Sequence, residues 1–223
     1  MIPFHAHESG AALAAALARE AAETLRAAIV ARGRALFAAP GGSTPAAFLA
    51  ALAAAPLDWA RVTILPGDER WVPPEDDRSN EGMIRRAMPG ARILPFWRAG
   101  EGPEAAAPRL SAELAPLLPL DLAVIGMGED MHCASLFPGA GALPAALAAD
   151  APPVMAIRAP GAPEPRLTLT LPPLAGAGRL VLLIRGEAKR EALALATETE
   201  DPLAAPVSAV LRAARAAEVR WAP

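Results

Sequence analysis

Residues 120–126, LDLAVIG, restrict the fold more than any other stretch of the chain. Apart from Asp121 they form a continuous apolar run, so a strand built from them must be covered on both of its faces. Parallel sheets sandwiched between helices accept such strands, and the flanking sequence supplies the helices. Residues 9–32 carry Leu13, Leu17, Ala21, Leu25 and Ile29 at a spacing of four, with Ser9 as an N-cap and Gly33 as a stop. ALFAA (35–39) reads as a strand that runs through PGGSTP into the helical AAFLAALAAA. RVTILP starts a second strand, which empties through GDERWVPP into a charged, proline-rich loop; SNEGMIRRAM then forms a helix capped by Ser79 or Asn80. ARILPF (91–96) is a third strand, and a helix is expected over residues 103–115. Beyond LDLAVIG, the segments VMAIRA, RLTLTL and RLVLLIRG read as strands. A helix over EAKREALALAT, another near VSAVLRAARA and a short EVRW close the chain. Strands alternating with helices give an α/β fold with a mostly parallel sheet, read as a single domain over residues 1–223. The Pro/Ala segments 99–108 and 138–165 read as surface loops rather than linkers.

Composition narrows the functional classes. The chain has 223 residues, 53% of them hydrophobic, enough for a sizeable core. Its net charge of −3 and the lack of a basic stripe argue against nucleic acid as a partner. The N-terminal MIPFHAHESG lacks the basic and apolar regions of a signal peptide, and no window holds the roughly 20 apolar residues that span a bilayer. The expected location is therefore the cytoplasm, with no membrane partner. One cysteine, Cys133, excludes an intramolecular disulfide, and no Cys/His cluster has zinc-site spacing.

In parallel sheets ligands bind outside the carboxyl ends of the strands. Here those ends carry GGST, GDER, GMGEDMH and RGEAK, four polar turns on one rim. GMGEDM lacks the third glycine of a dinucleotide fingerprint, because Met131 stands in its place, and no stretch is a Walker A loop. PGGSTP fits an anion nest in which Gly41 and Gly42 permit unusual backbone angles, Ser43 and Thr44 turn their amides outward, and Pro45 opens a helix; a tight capped turn fits equally. Arg70 offers a forked partner for a phosphate. Lys189, the only lysine among otherwise arginine cations, offers a point charge. Each would also serve as a solvated surface charge. His132 is either a satisfied loop histidine or a base able to take a proton from water near neutral pH, with Asp130 two residues away to orient it. Cys133 reads as a packing residue, and without a G-x-S-x-G elbow a serine nucleophile is disfavoured.

Taken together, PGGSTP, GDERWVPPEDDRSNEGMIRRAM, GMGEDMHCASLFPG, RLTLTLPPL and RGEAKREAL resemble the 6-phosphogluconolactonase family in order and spacing, over nearly the whole chain. The resemblance implies a single-domain, Rossmann-like parallel-sheet sandwich with helices on both faces. It implies hydrolysis of 6-phospho-D-glucono-1,5-lactone in the oxidative pentose phosphate pathway, without metal or organic cofactor. His132 would be the general base, with Asp130 beside it. Arg70 and Lys189 would hold the phosphate next to Gly42, Ser43 and Thr44, and Arg166 would be a further pocket residue. The expected partner is the phosphosugar lactone alone, bound by a monomer. In the family the histidine usually follows glycine and precedes threonine; here the neighbours are Met131 and Cys133. If position 131 has positive φ, methionine is strained there; otherwise its thioether narrows the pocket mouth. Two rivals share the fold. One is a glucosamine-6-phosphate deaminase/isomerase, disfavoured because ASLFPG supplies no acid after His132. The other is an inactive sugar-phosphate-binding module.

Overall fold

The structure, a computed structural model, describes residues 2–42, 45–159 and 162–223. The strands in chain order are β1 (Phe4–Ala6), β2 (Ala35–Ala39), β3 (Val62–Pro66), β4 (Asp68–Arg70), β5 (Arg92–Ile93), β6 (Leu122–Ile125), β7 (Val154–Ile157), β8 (Arg166–Leu169), β9 (Leu180–Arg185) and β10 (Ala217–Ala222). The helices are α1 (Gly10–Arg32), α2 (Ala46–Ala53), α3 (Asn80–Ala87), α4 (Pro103–Leu114), α5 (Leu143–Ala146), α6 (Leu171–Ala175), α7 (Glu187–Glu198) and α8 (Pro206–Ala213). Seven strands form a parallel sheet in the order β1-β10-β9-β6-β2-β3-β5.

Side-chain parity in the central strands divides the core. Ala35, Phe37 and Ala39 of β2, Val124 of β6, and Val181 and Leu183 of β9 pack with the apolar faces of α1, α2 and α3. Leu36, Ala38, Ile125, Leu182 and Ile184 pack on the other side with α4, α7 and α8. The α/β class and its two helical layers are thus as the apolar runs required. Helix α1 begins and ends as its sequence specifies: the Ala12 amide donates to Ser9 Oγ at 3.2 Å, and Gly33 closes the helix at φ 73°.

Several expectations need correction. VMAIRA and RLTLTL do not join the large sheet. Their strands β7 and β8 pair antiparallel with each other, and β4 adds to β8 to make a separate three-stranded sheet. A parallel pair would need a crossover of a dozen or more residues, and the eight residues between β7 and β8 cannot provide it. The chain changes sheets at Gly67, whose N–H donates to Ala39 O at 2.9 Å while its carbonyl accepts from the Leu169 amide at 2.9 Å. The GDER segment is therefore strand β4 and not loop. ARILPF contributes only Arg92 and Ile93 to the sheet. Helix α4 forms where it was expected over 103–115, so the loop reading of segment 99–108 holds only up to Gly102, and Pro103 opens the first helical turn. Strand β1 and the short helices α5 and α6 lie in stretches without a clear periodic signal.

Candidate active site

The chain runs outward from β2 through β3 to β5, then returns to the other side of β2 to form β6. The carboxyl ends of β2 and β6 therefore diverge at a topological switch point, the place where such sheets open a crevice. A cavity of about 280 Å³ occupies it, lined by Gly42, Arg70, Asn80, His132, Arg166 and Lys189 among others.

His132 enters from the turn after β6. Its Nδ1 lies 2.5 Å from Asp130 Oδ1, and its ring packs against Phe137 with centroids 4.2 Å apart. A carboxylate at that distance accepts the Nδ1 proton, which leaves Nε2 as the nitrogen with a free lone pair. Ring and carboxylate fold onto Gly128, where an added Cβ would lie 2.2 Å from Asp130 Oδ1 and 2.3 Å from the ring, so any side chain there would push this pair out of place. The turn is tight: the Gly128 amide donates to His132 O at 3.0 Å and the Met131 amide to Gly128 O at 3.1 Å. Met131 has φ 65°, which settles the choice left by the sequence. Its thioether packs on the hydrophobic core and is not part of the cavity wall, so the narrowed-mouth reading is withdrawn. Cys133 is buried, and burial pushes its thiol well above the ordinary range.

The cations come from three elements. Arg70 and Arg166 stand directly opposite each other on β4 and β8. Facing positions of an antiparallel pair place both side chains on one face, and like charges there destabilise the pairing unless an anion joins them. Arg166 also reaches toward Asp68, 3.9 Å away, and its buried Nε has no partner among the described residues. Lys189 projects from the first turn of α7 into the same cavity. Gly42 adopts φ 90° at the cavity wall, while Gly41 is needed for room instead of torsion: a Cβ there would lie 2.3 Å from Asn80 Nδ2. Ser43 and Thr44 lie outside the described residues. The structure thus brings Gly42, Arg70, His132, Arg166 and Lys189 to one cavity, and Asp130 to the rear of the histidine.

Three residues of the site were not singled out from the sequence for chemistry. Asp68 lines the cavity and accepts from Ser135 Oγ at 2.6 Å. Asn80, read only as a helix cap, lines the cavity as well. Glu69 points the other way and is fully buried, accepting from Ser79 Oγ at 3.0 Å and from the amides of Arg70 and Asn80 at 2.8 Å and Glu81 at 2.6 Å. Burial outweighs those four donors and pushes its carboxyl up to about 7. The signal was available in the strand alternation of Asp68, Glu69 and Arg70, which puts the outer two on one face.

Residues 8–221 match the family described as glucosamine-6-phosphate isomerases/6-phosphogluconolactonase. A 6-phosphogluconolactonase of Rhizobium meliloti is 46% identical over 227 residues, covering 98% of this chain and 98% of its own length. One from Pseudomonas putida is 40% identical over 217 residues, covering 95% and 89%. The crystal structure of a 6-phosphogluconolactonase from Shewanella baltica aligns at a TM-score of 0.95 and 31% identity, covering 100% of this chain and 98% of that one.

Proposed function

The chain belongs to the glucosamine-6-phosphate isomerases/6-phosphogluconolactonase family, and from that membership we propose that it is an enzyme hydrolysing 6-phospho-D-glucono-1,5-lactone to 6-phospho-D-gluconate, in the oxidative pentose phosphate pathway. The observation that carries this reading is a carboxylate-oriented histidine and three cationic side chains lining one cavity at the sheet's switch point. The cations suit a phosphate dianion, with Arg70 and Arg166 as forks, Lys189 as a point charge and the Gly42 turn beside them. With the phosphate held there, the lactone carbonyl lies toward His132. Nε2 takes a proton from water as the water oxygen bonds to the carbonyl carbon; Asp130 steadies the imidazolium so formed. When the tetrahedral intermediate breaks its ring C–O bond, the departing oxygen takes that proton and becomes a hydroxyl. The acid product then loses a proton to solvent, and water and lactone account for every atom.

In this reading residues 1–223 act as one domain and as a monomer, and the enzyme works in the cytoplasm. The test is an assay on freshly generated lactone, run beside spontaneous hydrolysis. A rate well above background is expected. No acceleration, or ammonia release from glucosamine 6-phosphate in its place, would overturn the reading.

A further inference from the structure

Arg70 is unusual among the arginines of this chain in the company it keeps. Most of the others with partners meet a carboxylate, as Arg109 does with Glu101 at 2.8 Å and Arg179 with Glu218 at 2.5 Å. The acceptors of Arg70 are uncharged: its Nη1 donates to Arg78 O at 2.8 Å and to Asn80 Oδ1 at 3.1 Å. A carboxylate is nevertheless close, because Asp68 shares the cavity face of β4 two residues earlier. The Asn80 amide spans the pair. Its Nδ2 donates to Asp68 O at 2.7 Å and approaches Asp68 Oδ1 at 3.4 Å, and its Oδ1 takes the guanidinium. The amide can sit only one way round, since neither a carbonyl nor a carboxylate can donate and a guanidinium cannot accept.

Asn80 is itself held firmly. It is 2% exposed, its backbone amide donates to Glu69 Oε1 at 2.8 Å, and its side chain packs against Gly41 so closely that any Cβ there would collide with it. We infer that Asn80 is a positioning residue that sets the preference for phosphorylated substrate: its neutral amide fixes the Arg70 guanidinium and separates it from Asp68, so that the full charge of Arg70 meets the phosphate. The inference rests on the lactonase reading, and it assigns to a side chain with no charge the control of a charge interaction.

The experiment compares kcat/KM on 6-phosphogluconolactone with kcat/KM on unphosphorylated glucono-1,5-lactone, for the wild type, Asn80→Asp and Asn80→Ala, with thermal melting as the check on folding. Asn80→Asp places a carboxylate on Arg70, and the preference for the phosphorylated lactone should fall by about tenfold or more, through KM. Asn80→Ala loses one acceptor and adds no charge, so the fall should be smaller, about threefold. That order separates charge from packing, because a packing role makes alanine, the larger volume change, the worse variant. An unchanged preference in Asn80→Asp, or a greater fall in Asn80→Ala, overturns the inference. If Asn80→Asp does not fold, competitive inhibition of Asn80→Ala by inorganic phosphate decides: a Ki raised about threefold supports the role and an unchanged Ki removes it. A wild type inert on both lactones would instead retire the functional reading itself.

Discussion

Met131 stands where the family resemblance leads one to expect glycine, and its backbone shows what that entails. At φ 65° the residue occupies left-handed space that glycine enters freely and a side chain enters at a cost of roughly 1–3 kcal/mol. The surroundings hold it there. Its carbonyl accepts from the Val207 amide at 3.2 Å, and its side chain packs on the core. Replacing it by alanine removes the packing and keeps the strain, whereas replacing it by glycine removes both. Met131→Gly should therefore be more stable than Met131→Ala by about 1 kcal/mol in chemical denaturation, the reverse of their order at an ordinary position. Alanine as stable as glycine would show that the turn relaxes out of the left-handed region. For His132 the expectation concerns rate. His132→Ala should lower kcat by about 10² to 10⁴-fold while KM moves by only a few-fold, and an unchanged kcat would remove His132 from the base role. The histidine, the aspartate and the methionine were all legible in GMGEDMH; the torsion that connects them was not, because it depends on Gly128 admitting the ring.

At the scale of elements, the three-residue strand β4 and the helix α3 do much of the site's positioning, and both were read incompletely. Three residues are too few for a periodic signal, so GDER passed for loop. Its alternation sends Asp68 and Arg70 to the cavity and Glu69 beneath α3, where Glu69 receives the first amides of the helix. A buried carboxyl with a pKa of about 7 in the fold, against an ordinary value near 4.5, binds its proton more tightly when folded. Its contribution to stability is fully present below the ordinary value, is lost as pH rises from there toward 7, and is constant above. Relative to Glu69→Gln, which cannot titrate, the wild type should lose stability by an amount on the order of 1 kcal/mol or more between pH 5 and pH 8. Parallel stability curves for the two proteins would mean that the four donors keep Glu69 ionised throughout. The long elements were legible because each carried its own caps and spacing, as α1 did with Ser9 and Gly33. The small sheet was not, because pairing between β4 and β8 joins segments almost a hundred residues apart and leaves no local mark.

Across the whole molecule, the site arises from the order in which strands were added. Three turns and strand β4, distant in sequence, meet because β2 and β6 sit side by side while the chain leaves them in opposite directions, and because β4 crosses to a second sheet. A bound phosphosugar would thus touch β4, β8, the turns after β2 and β6, and the first turn of α7 together. Ligand that binds only the folded state stabilises by mass action, about 2.7 kcal/mol at a hundred times Kd. For a chain of this length that corresponds to a Tm rise of roughly 5–10 °C with saturating 6-phosphogluconate, the product. Gluconate, which lacks the phosphate, should give little shift at the same concentration. Lys189→Ala, which removes one cation from the cavity and little from the core, should keep the ligand-free Tm near that of the wild type and reduce the 6-phosphogluconate shift. It should also raise KM for the phosphorylated lactone more than for the unphosphorylated one. Equal shifts from the two sugar acids, or an undiminished shift in Lys189→Ala, would mean that the cations at this switch point serve the fold and not a phosphate.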